Sequence, residues 1–179
     1  MSEETKKISN SLSSISLFSI VLLAWLVTIA IDFFLNAGLF AKMWLESSSA
    51  FLPPEKLTQR IPLGYIAFLL LTILLTWIMA RTNVRGWKQG ASFGFKFGLL
   101  FEAASALGTI SAYSVSPPLI IAWFLGGVLK DSIVCTIIGS GLGGSHLRRL
   151  WARAIVFVVI IIVVTIIMQA LGYAPAIQQ

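Results

Sequence analysis

The chain has 179 residues, 58% of them hydrophobic and only 11% charged, with a mean hydropathy of +0.92 and a net charge of +6. A soluble domain carries about a quarter charged residues, so this composition excludes an ordinary water-soluble globule and points to lipid as the main solvent. The positive balance does not indicate nucleic acid, because Lys and Arg lie in short loops between apolar runs and form no basic face with interleaved aromatics.

Residues 1–14 are polar and read as a disordered tail. An apolar run then covers about 15–36, longer than the ~7–15 residues of a signal-peptide core, which favours an uncleaved membrane helix. On a helical projection Trp25, Thr28, Asp32 and Asn36 share one face, and that face is expected to turn toward protein. Leu39, Phe40, Met43 and Trp44 follow at i, i+4 spacing, which suggests a short helix on the membrane surface or a continuation of the first span. Pro53–Pro54 closes that segment, and Pro62 is placed at the start of a second span over 62–80. Thr72 and Thr76 lie on the same side as Tyr65 and can bond backbone carbonyls or a neighbouring helix.

Arg81, Arg85 and Lys88 form a basic loop before a third span at 90–112. Gly90, Gly94 and Gly98 recur every four residues there and mark a helix-packing face, a candidate interface between copies of the chain. Glu102, Ser105 and Thr109 continue the same face. Pro117–Pro118 opens a fourth span at 117–139, with Trp123, Gly127 and Lys130 on one side and Asp131 turned about 100° away. The glycine run 139–144 matches G-x-G-x-x-G by letter but follows a membrane helix and opens no βαβ unit, so it reads as a helix stop. A fifth span at 153–171, almost wholly Ile and Val, is expected to face lipid on the outside of the bundle, and 172–179 is a short outer tail.

The tail and the loops at 81–90 and 140–153 hold eight Lys/Arg against two acids. That excess predicts a single helical domain over 15–171, an all-α bundle of five transmembrane helices with the N-terminus in and the C-terminus out. A multi-pass protein of the cell membrane, with a bacterial inner membrane as its setting, is the expected localisation.

Ionisable residues within spans are costly and need partners, water or a purpose. Counting from the basic ends of spans three and four, Glu102 lies ~18 Å deep and Lys130 ~13 Å deep at ~1.5 Å per residue, so the sequence predicts a Glu102–Lys130 ion pair. Asp131 and Asp32 complete the candidate polar site. Lys96 lies only ~9 Å from the basic boundary and is expected to snorkel to headgroups, and Arg148, Arg149 and Arg153 are expected to meet anionic lipid. Cys135 is the single cysteine, which excludes a disulfide framework, a thiolate zinc site and a dithiol pair. His146, alone in a basic loop, builds neither a metal site nor a catalytic triad, so no enzyme activity, catalytic residue, metal or cofactor is expected. Two function classes fit: a small transport or ion/proton-handling protein, acting as a homo-oligomer, or a structural or accessory subunit of a larger membrane complex. Lipid is the expected partner, and nucleic acid is not.

Overall fold

A computed structural model describes residues 14–46, 52 and 54–173. These residues form helices and no strand: α1 (Ser14–Phe34), a π-helical turn (Leu35–Leu39), α2 (Ala41–Glu46), α3 (Pro54–Arg81), α4 (Trp87–Ala112), α5 (Pro117–Leu142) and α6 (Leu147–Ala170). Five of the helices, all but α2, are long and apolar enough to cross a membrane. A chain in lipid must satisfy its backbone internally, and helices do so residue by residue. The hydroxyls follow the same rule. Thr28, Thr72, Thr76, Ser132, Thr136 and Thr165 each donate to the carbonyl four residues back, at 2.7–2.8 Å.

The helices α1 and α5 are central. The last helix, α6, lies against α1, α3 packs on α1 and more lightly on α5, and α4 packs almost wholly on α5. The core between α1, α3 and α5 is built from Ile20, Ala24, Leu75, Met79, Val134 and Ile138. As expected of the last span, α6 buries only Ala154, Val158 and Thr165, and its Ile and Val side chains are largely exposed to the surroundings.

Gly90, Gly94 and Gly98 are all buried, and what they approach is α5 of the same chain. A methyl group on Gly94 would stand 2.7 Å from Cys135 Cβ and 2.9 Å from Ser132 Cα. The glycine face is therefore consumed within the chain and is not open to a second copy, which corrects the expected oligomer interface. The physical reason is adjacency, since the short 113–116 connection makes α4 and α5 antiparallel neighbours that reach each other first.

Element ends differ from the expected ones. The helix α3 begins at Pro54 and runs through Pro62, which lies on an exposed stretch of its N-terminal part. Similarly, α5 does not stop at Gly139 but continues to Leu142, because Gly139 and Gly141 are packing positions. Gly86, at φ 84°, brings the α3–α4 loop against them, and its amide donates to the Gly139 carbonyl at 2.6 Å. Glycine is favoured at 86 by that left-handed φ, and glycine is needed opposite it, since a Cβ on Gly139 would stand 2.7 Å from the Gly86 carbonyl oxygen and one on Gly143 2.8 Å from its amide nitrogen. The expected tails at 1–14 and 172–179 lie almost entirely outside the described residues.

Cys135 is fully buried against the Gly94 backbone. In folded protein N-ethylmaleimide should label it about a hundredfold more slowly than after SDS denaturation, because a local opening costing ~3 kcal/mol leaves under ~1% of molecules reactive. Equal labelling rates by mass spectrometry would contradict the α4–α5 packing.

Candidate functional site

At one end of the bundle lie Arg81, Arg85, Lys88, Arg148 and Arg149; the other half holds a half-open chamber of about 290 Å³ with polar and aromatic walls. Each wall follows from a local feature of the sequence. The first helix contributes Asp32 and Asn36, one turn apart and both half-buried. The π turn then redirects the chain, so Phe40 and Trp44 fold back over the chamber. Trp44 Nε1 donates to Asn36 Oδ1 at 3.1 Å, and its ring packs on Trp123 with centroids 5.1 Å apart and planes at 58°. The segment after span one thus follows that span through the π turn and lines the chamber.

The third helix offers Phe68, α4 brings Glu102, Ser105 and Thr109, and α5 supplies Trp123, Phe124, Gly127 and Lys130. Ser105 is exposed, and because α3 and α4 lean on other helices the chamber is open along that side.

Lys130 Nζ lies 4.0 Å from Asp32 Oδ1, with the two side chains 12% and 26% exposed. The same ammonium stands 4.7 Å from the Phe68 ring centroid. Burial on this scale would cost an isolated ion several kcal/mol, and the carboxylate and ring together offset part of it. Among the described residues, this is the ion pair that Lys130 forms, and the expected Glu102–Lys130 pair is replaced by Asp32–Lys130.

Helix register explains the difference. Ile20 packs directly over Gly141. Twelve residues along α1 from Ile20 and eleven back along α5 from Gly141 bring Asp32 and Lys130 to nearly one height, ~18 Å and ~16.5 Å from that contact. Glu102 sits nearer the far end, its carboxyl group filling the space a side chain at Gly127 would need. It shares the chamber with Lys130 without an ion pair to it.

Asp131 does not face the chamber. It is 2% exposed, lies against Gly98, and its Oδ2 has no hydrogen-bond donor among the described residues. Lys96 is exposed on α4, and Arg148, Arg149 and Arg153 are exposed at the start of α6, beside the end expected to meet headgroups. Gln169 near the end of α6 donates to the Ala37 carbonyl at 3.1 Å and, with buried Thr165, gives that helix a short polar face unnoticed in the sequence.

Of the four ionisable residues singled out, three meet in one chamber. The aromatics Phe40, Trp44, Phe68 and Phe124 were missed as site residues. An aromatic in an apolar helix reads as lipid-facing or core, and only Asn36, four residues from Asp32 and eight from Trp44, hints at a shared site. Among the described residues no group of three His, Cys, Asp or Glu comes together.

Five membrane-length helices, four of which line the chamber, define a multi-pass membrane protein of helical-bundle type. No protein-family model matches the chain, and no match is found among curated proteins or solved structures.

Proposed function

We propose that this is a small transport-class protein that handles a cation at the chamber formed by Asp32, Glu102 and Lys130. The observation that carries the reading is the open chamber itself, which brings two carboxylates and one ammonium together within a membrane bundle. A pin that only fixed helix register would be expected dry and evenly paired. Here the charges are uneven: with all three groups ionised the chamber holds one negative charge in excess, which attracts a cation and repels an anion. The excess of Lys and Arg at the opposite end orients that end inward, so the chamber belongs to the outer half of the membrane. Its expected setting is a cell membrane.

The test is charge movement on a supported membrane carrying reconstituted protein, after concentration jumps of H⁺, Na⁺, K⁺, ammonium and tetramethylammonium in turn. At least one cation should give a saturable current, and Glu102→Gln should lower its apparent affinity by about tenfold, the equivalent of ~1.4 kcal/mol. Silence across the whole panel, with folded protein in the membrane, would overturn cation handling and leave the accessory-subunit reading.

A further inference from the structure

We infer that the solute of this chamber is a small organic ammonium ion, which takes the place between Asp32 and Phe68 that the Lys130 ammonium occupies. The inference rests on the reading of the chamber as a cation site and adds the chemical class of the cation.

The structure already contains a bound ammonium, because Lys130 Nζ has a carboxylate oxygen at 4.0 Å and an aromatic face at 4.7 Å. Those two contacts are the recognition elements of ammonium ligands: a counter-charge on one side and the negative face of an aromatic ring on the other. Trp44, Trp123 and Phe124 line the same space, which gives an alkylated ammonium apolar surface to displace water from. A bare metal ion needs several oxygens converging at ~2.3–2.6 Å, whereas the place of the Lys130 ammonium has the Phe68 ring on one side and its nearest carboxylate oxygen at 4.0 Å. The volume, about 290 Å³, lies at the small end for ligand pockets, enough for a compact solute and more than a single dehydrated ion requires.

The second carboxylate then has a use. When a solute ammonium binds Asp32, the Lys130 stem can swing its head toward Glu102, which lines the same chamber. Two acids accommodate two cations, one tethered and one free, so that with solute bound each carboxylate has a counter-charge. Lys130 becomes an internal competitor that holds the empty site closed to weak ligands.

Titration of tetramethylammonium chloride into detergent-solubilised full-length protein, against sodium chloride of equal ionic strength, tests this through tryptophan fluorescence. Wild type should show saturable binding. Lys130→Met should tighten it by about tenfold, because the competitor is gone, and Asp32→Asn or Phe68→Leu should weaken it by a similar factor. If Lys130→Met does not fold, Lys130→Gln serves the same purpose, and the Phe68→Leu result stands independently of both. No saturable binding in wild type, or weaker binding when Lys130 is removed, would overturn the inference. Should proton or alkali-ion currents persist while tetramethylammonium neither binds nor moves charge, the organic-ammonium assignment fails and cation handling survives. If currents and binding are both absent, the two readings fall together.

Discussion

Gly94→Ala should lower the stability of the folded protein by about 1–3 kcal/mol, while the same change at Gly108, on the same helix, should leave it unchanged or raise it by up to about 1 kcal/mol. The two sites share sequence chemistry, since alanine is the better helix former at both. What differs is the space around them. A Cβ on Gly94 would stand 2.5 Å from the Asp131 carbonyl oxygen and 2.7 Å from Cys135 Cβ, whereas one on Gly108 meets nothing within 4 Å. The atoms in the way are mostly backbone of α5, so relief requires the two helices to move apart along a contact in which Gly90 and Gly98 also take part. In lipid, helix association depends on this close packing because no hydrophobic driving force separates helix from solvent. Reversible unfolding in mixed micelles, followed by the SDS fraction at the midpoint, reads both variants. Equal shifts at the two positions would show that α4 does not pack on α5 through its glycines.

Lys130→Met should destabilise the protein by about 1–3 kcal/mol, less than the ~3–5 kcal/mol typical of breaking a fully buried pair, because both side chains retain some exposure and the contact is long at 4.0 Å. The loss comes mainly from the Asp32 carboxylate left without its counter-charge. Adding Asp32→Asn to Lys130→Met should therefore recover most of it, giving a coupling of about 1 kcal/mol or more in a double-mutant cycle. The corresponding cycle with Glu102→Gln should give a clearly smaller coupling, since Glu102 shares the chamber but forms no ion pair with Lys130. The same unfolding assay measures both cycles. A larger coupling to Glu102 than to Asp32 would reverse the assignment of the pair. The two outcomes for Lys130→Met, lower stability and tighter ammonium binding, point in opposite directions and cannot both follow from simple misfolding.

The helical class, the number of spans and the polar residues of interest were legible because each depends on local composition. Runs of ~20 apolar residues must be helical in lipid, and charges within them stand out whatever their neighbours. The inward face of Trp25, Thr28, Asp32 and Asn36 was legible for the same reason: Trp25 donates to the Tyr65 carbonyl, Thr28 is buried, Asp32 meets Lys130 and Asn36 accepts from Trp44. Boundaries were less so. Gly139 and Pro62 are breakers by propensity, yet both lie within helices, Gly139 because α4 and its loop need the space it leaves and Pro62 within the first turns of a long helix.

What the sequence by itself determined about this protein is a five-span bundle with a glycine face on α4 and charges in its apolar helices. Only the tertiary structure decided which of those charges meet. Sequence spacing fixes height along one helix, but the relative height of two helices is set by where their side chains interlock, here Ile20 over Gly141. That register lifts Asp32 level with Lys130, and the π turn after it swings Phe40 and Trp44 across the opening. The chamber thus arises from offsets between helices, each a matter of a few ångströms, which no periodicity within a single helix encodes.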